Sequence, residues 1–331
     1  MKKPDLSHFY VVTIISNTAR FSSRYNLFRK YEKMIKDTGV TLITVEMALG
    51  DRAFEVTERD NPHHLQLRSI DELWHKENMI NLGISYLLQL DPEAKYVCWI
   101  DGDVMPMMPA REWLEETWHQ LQVYEVVQMF QYAQDMDPDF NPIGERQEGF
   151  ISTYIRHGGA LPNIHMRWAS RETKGYSEFG HPGFAWAANI SALSAVGGLP
   201  DTHILGAGDR FIAMGLIGAT EKTVYQGLSE DYKQSIRDWG IKAERYLKRD
   251  VGFVKGCLLH MWHGSKKQRF YIERWKVLID NKFSPARDLK RDAQGLWQLE
   301  THSPRQIKLR DQIRAYMRSR NEDCIYTGRD R

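Results

Sequence analysis

The stretch that most constrains this chain is Tyr96-Val-Cys-Trp-Ile100, which runs directly into Asp101-Gly102-Asp103. An uninterrupted apolar run has no polar face to turn toward water. It therefore reads as a strand buried on both sides, the pattern of a central strand in a sheet covered by helices. Open sheets of that kind hold ligands beyond the carboxyl ends of their strands. The run thus predicts two carboxylates at a ligand position.

The flanking sequence supports an α/β class. Phe9 to Ile15 is apolar and β-branched, and it ends in the turn signal Ser16-Asn17-Thr18. A helix is expected over Tyr25 to Lys36, then a strand over Thr41 to Val45. Strand, helix and strand at this spacing imply a parallel βαβ start. Ser69-Ile-Asp-Glu72 has the form of a capping box, which predicts a helix carrying Leu73, Trp74, Ile80, Ile84, Leu87 and Leu88 on one face. Val123 to Phe130 and Phe184 to Ala187 read as strands, Ile190 to Val196 as a short helix, and 131–180 as long loops. A last helix is expected with Ser303 as N-cap and Pro304 at its first position. No linker interrupts the chain. We expect one catalytic domain over 1–265, divided into halves at 105/106, and a helical C-terminal extension over 266–331.

Composition narrows the class further. Of 331 residues, 42% are hydrophobic and 27% charged, enough apolar material for a core. The net charge of +2 is too mild to announce a nucleic-acid binder. Cys98, Cys257 and Cys324 have no paired spacing, which argues against a disulfide framework or a zinc knuckle and for a reducing compartment. No window approaches the roughly 18 apolar residues of a spanning helix. A soluble cytoplasmic protein is expected. The phosphate-binding glycine loops, the H-E-x-x-H zinc signature and the G-x-S-x-G elbow are all missing, so P-loop, dehydrogenase, zincin and α/β-hydrolase chemistries lose ground.

Four constellations carry chemistry. Asp101 and Asp103 at a strand end suit a hard divalent cation such as Mn²⁺ or Mg²⁺; a surface Asp-Gly turn is the plain alternative. His260-Met-Trp-His263-Gly264 precedes Lys266, Lys267 and Arg269, so imidazole ligands would stand beside cations able to hold phosphate. Packed core histidines are the alternative. Gly180-His-Pro-Gly183 and Gly206-Ala-Gly-Asp209-Arg210 are glycine turns that let backbone approach a ligand. Asp209 is either a general base or a helix N-cap. Arg20, Arg24 and Arg29 follow the first strand and Glu46 follows the second, positions from which a nucleotide is held or where charges are merely solvated.

In order and spacing these pieces resemble the GT-A glycosyltransferases, particularly animal β-galactosyltransferases and the family-two transferases. Trp74-His-Lys76-Glu-Asn78-Met-Ile-Asn81-Leu-Gly83 resembles their K-x-x-N-x-G helix. Trp99-Ile-Asp101-Gly-Asp103-Val-Met-Pro106 resembles their D-V-D-x-x-P segment. Gly183-Phe-Ala-Trp-Ala187, Val196-Gly-Gly-Leu-Pro200 and Gly206-Ala-Gly-Asp209 fall in the order of their acceptor half, and His263 falls at their metal histidine. The match covers roughly 9–270. A group of soluble phage-associated glycosyltransferases is similar over nearly the whole length, through Leu73-Trp-His-Lys-Glu77, Trp262-His-Gly264, Arg269, Tyr271 and Tyr316…Arg320-Asn-Glu-Asp323.

The resemblance implies a Rossmann-like, mostly parallel sheet flanked by helices and an inverting, metal-dependent transfer from a UDP-sugar. It implies Asp103, His260, His263 and Asp101 at a metal, and Asp209 as base. Arg20, Arg24, Glu46, Lys76, Lys267 and Arg269 join Asp101 and Asp103 toward the donor; Gly183, Phe184, Trp186, Gly208 and Arg210 lie toward the acceptor. Gly208 departs from the family, which carries Glu there, so acceptor recognition should differ. Residues 265–290 hold eight Lys or Arg against three Asp or Glu, with Phe270, Tyr271 and Trp275 interleaved. With the phage-like resemblance, this suggests a hydroxymethylated pyrimidine in DNA as acceptor. A solvated helix face explains the same charges. A glycan or lipid-linked saccharide acceptor, a nucleotidyltransferase and an inactive nucleic-acid-binding module are the competing functions.

Overall fold

The structure is a computed structural model that describes residues 3–161, 179–270 and 273–328. Strand β1 (Phe9–Ser16) leads through α1 (Ser22–Lys36) to β2 (Thr41–Leu49) and β3 (His64–Ser69). Helix α2 (Lys76–Leu90) precedes β4 (Tyr96–Ile100), the short β5 (Val104–Pro106) and α3 (Ala110–Leu121). Next come β6 (Val126–Gln128), β7 (Tyr132–Met136), β8 (Pro142–Glu148) and α4 (Phe150–Arg156). Then follow β9 (Ala185–Asn189), α5 (Ile190–Val196), α6 (Gly208–Leu216), α7 (Glu230–Leu247), β10 (Val251–Phe253) and β11 (Cys257–His260). The chain closes with α8 (Glu273–Asp280), α9 (Pro285–Asp288), the hairpin of β12 (Leu289–Arg291) and β13 (Trp297–Leu299), and α10 (Pro304–Ser319).

The main sheet has seven strands in the order β10-β6-β9-β4-β1-β2-β3. All its pairings are parallel except those of β9, which is antiparallel to both neighbours. The run Val97-Cys98-Trp99-Ile100 on β4 is at most 4% exposed. Its alternate residues enter different cores: Val97 and Trp99 pack in the one that holds α2, α5 and α6, and Cys98 and Ile100 in the one that holds α1 and α3. Helices on both faces are the reason this segment needs no polar alternation.

A second sheet, ordered β5-β11-β7-β8, crosses the end of the first. Its β5 begins immediately after Asp103 and pairs antiparallel with β11, in a register that sets His260 opposite Val104. The Met261 amide donates to the Asp103 carbonyl at 2.8 Å. This pairing brings a histidine turn from far along the chain to the end of the central strand.

Helix α2 ties the layers together. A Cβ on Gly83 would stand 2.7 Å from Val12 Cγ1 and 2.8 Å from Val45 Cγ2, so only glycine lets the helix lie this close to β1 and β2. The Asn81 amide donates to the Leu199 carbonyl and its oxygen accepts from the Leu199 N–H, both at 2.8 Å, fixing the Gly197-Gly198 turn. Asn78 does the same for the hairpin through Gly295 and Trp297.

Several expectations change. Ser69 does not cap a helix. It ends β3, its hydroxyl bonds the Asp71 carbonyl, and α2 starts only at Lys76. Glu72, the other half of that capping pattern, pairs with Arg314 and Arg318 instead. The loops expected over 131–180 include β7, β8 and α4; their pairing with β11 and the main core outweighs a turn-rich composition. Residues past 265 carry a hairpin as well as helices, and Tyr271 lies outside the described residues. Ser303 does accept from the Gln306 N–H at the start of α10.

The closing segment is pinned by Asp288, which is fully buried. It accepts from the Ser284 amide at 3.0 Å and Gln306 at 3.2 Å, and pairs with Arg287 and Arg305. Burial pushes its carboxyl up, but Arg287, Arg305 and the Ser284 amide outweigh that and hold it at about 2. A folded value below the unfolded one contributes stability above about pH 4 and loses it as pH falls toward 2. Asp288→Ala is expected to cost about 1–3 kcal/mol, as it removes the buried acceptor for the Ser284 amide, Gln306 and the two partly exposed arginines. Urea unfolding at pH 7 measures this, and an unchanged midpoint would show that the cluster adds nothing.

Candidate active site and metal centre

A cleft opens at the carboxyl ends of β1 and β4. It is walled by Asp101 to Asp103, the His181–Phe184 turn, the start of α6 and the segment after β11. The Asp101 amide donates to the Phe184 carbonyl at 2.8 Å, joining the end of β4 to the entry of β9. Gly102 allows α1 to approach, since a Cβ there would sit 3.0 Å from the Phe28 ring.

Asp103, His260 and His263 converge, their ligating atoms all lying within 4.8 Å of one another. Carboxylates hold the far side of each imidazole. His260 Nδ1 lies 2.7 Å from Asp135, and His263 Nδ1 lies 3.1 Å from Glu322. A carboxylate only accepts, so each Nδ1 donates to its own carboxylate, and each Nε2 is the nitrogen left to face a cation. The two Nε2 atoms stand 3.2 Å apart, and His263 Nε2 lies 3.0 Å from Asp103 Oδ2. The other oxygen, Asp103 Oδ1, is buried without a partner. Burial would raise the Asp103 carboxyl, but His263, His260 and Arg24 hold it well below the usual range. An Arg269 amine 2.9 Å from His263 Nε2 adds positive charge. Two imidazole nitrogens and a carboxylate, all electron-rich and aimed at one point, fit a divalent cation of the Mn²⁺ or Mg²⁺ type.

Beside this centre, Lys76 at the first turn of α2 joins two carboxylates. Its ammonium lies 2.6 Å from Asp101 and 3.0 Å from Asp209. Burial pushes Asp101 up to about 6, with Asp209 and Asp103 adding to it and Lys76 opposing. Burial works against the Lys76 charge, yet Asp101, Asp209 and Glu77 hold its pKa well above the ordinary lysine value. Asp209 is not the cap of α6, because the N-cap is Ala207 in a left-handed conformation. Behind it lies Glu77, raised to about 8 chiefly by burial and then by Asp209. Its Oε1 sits 2.1 Å from where a Cβ on residue 208 would be. Position 208 is glycine because the Glu77 carboxylate occupies the space of a side chain there.

Lys76→Met is expected to destabilise the fold by about 1–3 kcal/mol, since it leaves the half-buried Asp101 and Asp209 carboxylates without their cation. Denaturant melts at pH 7 and pH 5 would test it. The loss should shrink at pH 5, where Asp101 takes up a proton; Glu77 already carries one at pH 7.

Of the residues anticipated from sequence, Asp101, Asp103, His260, His263, Asp209, Arg24, Lys76, Arg269, Gly183, Phe184 and Arg210 line the cleft. Others lie elsewhere. Arg20 pairs with Glu55 in solvent. Glu46 is spent on the 55–57 turn, accepting from the amides of Glu55, Val56 and Thr57 and from the Thr57 hydroxyl. Trp186 is core, with its indole donating to the Pro182 carbonyl. Gly208 backs onto Glu77. Lys267 stands outside the lining, which takes Lys266 instead. Sequence reasoning missed His181, whose ring stacks on Phe184 at 3.9 Å, and the wall of Trp74, Arg274, Trp275 and Arg320. It also missed Asp135, which lay in an expected loop.

No protein-family profile matches this sequence, and no curated protein matches it either. Among solved structures it is similar to a mutant of Drosophila β-1,4-galactosyltransferase 7 in complex with manganese, UDP-Gal and xylobiose. That likeness has 10% identity over 91% of this chain and 98% of that one, with a TM-score of 0.35. A glycosyltransferase involved in glycosylation of the major capsid of PBCV-1 is similar at 8% identity over 93% and 98% of the two chains, with a TM-score of 0.29. Among the described residues no helix is long and apolar enough to cross a membrane.

Proposed function

We propose that this protein is a metal-dependent, inverting glycosyltransferase that moves a sugar from a nucleoside diphosphate, UDP, to an acceptor hydroxyl. The observation that carries this reading is the meeting of Asp103, His260 and His263 within 4.8 Å in the cleft that also holds Asp209. A Mn²⁺ or Mg²⁺ ion held by those three residues supplies positive charge against the diphosphate leaving group. Arg24, Lys266 and Arg269 on the same wall bind phosphate oxygens. Lys76 fixes Asp101 toward the donor and Asp209 toward the acceptor. The acceptor oxygen attacks the anomeric carbon as the bond from that carbon to the diphosphate oxygen breaks. Its proton passes to the Asp209 carboxylate. Gly183 keeps the space beside that carboxylate open: a Cβ there would stand 3.2 Å from Asp209 Oδ2.

In this reading residues 1–105 form the donor half, 106–265 the acceptor half, and 266–331 an extension that helps wall the cleft. The acceptor we propose is a hydroxymethylated pyrimidine in DNA. Supporting it, the cleft wall past Asp209 sets the half-buried Arg274 and Trp74 side by side, a cation for phosphate and an aromatic face for a base, with the positive charge of the buried Arg210 and Arg320 behind them. Such a substrate places the reaction in the cytoplasm, and the cysteines are unpaired thiols.

The test is a screen of nucleotide sugars with Mn²⁺, reading released nucleoside diphosphate. Unmodified DNA, hydroxymethylated DNA, glycans and lipid-linked saccharides serve as acceptors. Release only with hydroxymethylated DNA supports the full proposal, and release with saccharides replaces the acceptor. Pyrophosphate from nucleoside triphosphates, with no diphosphate from any sugar donor, would mark a nucleotidyltransferase instead.

A further inference from the structure

The chain's last described segment crosses the histidine turn as a strap. Asp323 accepts from the Ser22 and Ser23 amides at 2.8 Å each, at the start of α1. The Ser23 hydroxyl donates to the Glu322 carbonyl at 2.9 Å, and the rings of Trp262 and Tyr326 meet at 5.0 Å. Gly264 makes the crossing possible: it has φ +94°, and a Cβ would stand 2.6 Å from the Asn321 carbonyl oxygen. Docking of this segment is thus secured on both sides without the Glu322 side chain. That side chain is nonetheless buried beneath the strap, with partners Arg24 at 2.8 Å, Arg320 at 2.9 Å and His263 Nδ1 at 3.1 Å.

We infer that Glu322 is a positioning residue of the metal centre, fixing the tautomer and ring orientation of His263 from the far end of the chain, an inference that rests on the metal-dependent reading above. The carboxylate accepts the Nδ1 hydrogen, so Nε2 is the nitrogen turned toward Asp103 and His260. Arg24 and Arg320 hold the carboxylate in turn, so it stays fixed behind the ring and rotation of the imidazole forfeits its Nδ1 hydrogen bond. The same device occurs independently on the other imidazole. Asp135 on β7 lies opposite His260 in the parallel register and takes its Nδ1 hydrogen. Two acidic residues from unrelated elements, each set behind one histidine, make a second layer that sequence spacing does not reveal. Because Arg24 also lines the cleft, Glu322 links the histidine to the phosphate-facing wall.

The experiment compares full-length wild type, Glu322→Gln and Glu322→Asp. Mn²⁺ binding is followed by electron paramagnetic resonance, and His263 ring nitrogen shifts by NMR without metal. In the wild type His263 should show a protonated Nδ1 and a bare Nε2. Glu322→Gln should weaken Mn²⁺ binding about 10–100-fold and mix the tautomers. Glu322→Asp retains the charge on a shorter stem and should show a smaller loss, which settles the matter if the glutamine variant does not fold. Wild-type Mn²⁺ affinity with unchanged His263 shifts in a folded variant overturns the inference. If the wild type binds no Mn²⁺, the metal-dependent reading fails, and the nitrogen shifts still decide whether Glu322 sets the ring.

Discussion

Asp103→Ala is expected to abolish Mn²⁺-dependent release of UDP, by at least about 10³-fold in kcat/KM, together with tight Mn²⁺ binding. Asp103 supplies the only carboxylate among the three converging ligand residues, and its Oδ1 is buried without a partner. Losing it leaves two imidazoles, a set with no negative charge to hold a hard cation. The backbone should survive the change, because the Asp103 carbonyl still accepts from Met261 and the β5–β11 register is unaffected. Circular dichroism should therefore show a folded protein, its melting temperature lowered by loss of the carboxylate that His263 and Arg24 face, while UDP release disappears. Turnover near the wild-type level in this variant would refute the metal assignment outright.

A second large effect is expected at Asp209, with a different signature. Asp209→Asn should lower kcat by about 10²–10⁴-fold and leave Mn²⁺ and UDP binding intact. The amide has the shape of the carboxylate but cannot take up a proton from the attacking hydroxyl. Lys76 keeps Asp101 at 2.6 Å, so the donor side retains its anchor. The split between unchanged donor KM and collapsed kcat separates a base from a residue that merely braces Lys76. Should kcat stay within a few-fold of wild type, the acceptor proton leaves by another route and Asp209 is structural.

The two carboxylates differ in how far local sequence exposed them. Asp103 follows a buried apolar strand, and that alone marked it as a candidate for a ligand position. Asp209 was ambiguous, because an aspartate near a helix start is usually a cap. Only the position of Lys76, brought over by α2, shows that its carboxylate faces another way. Gly208 was visible as a departure from the resembling family, but not the carboxylate that fills its place, since Glu77 belongs to a different helix.

What the amino-acid order determined by itself was local: the buried central strand, the parallel βαβ start, the Ser303 cap and the glycines of the tight turns. These follow from side-chain periodicity and backbone sterics, which act over a few residues. What only the tertiary structure decided was which charges meet. Antiparallel pairing of β5 with β11 carries His260 to Asp103, the parallel register of β7 puts Asp135 behind it, and the terminal strap delivers Glu322 to His263. A strand's register is set by every contact along it, so a partner more than a hundred residues away leaves no mark in local spacing. Glu46 shows the converse. It was expected after the second strand, but β2 runs on to Leu49, and the 55–57 turn takes up its carboxylate.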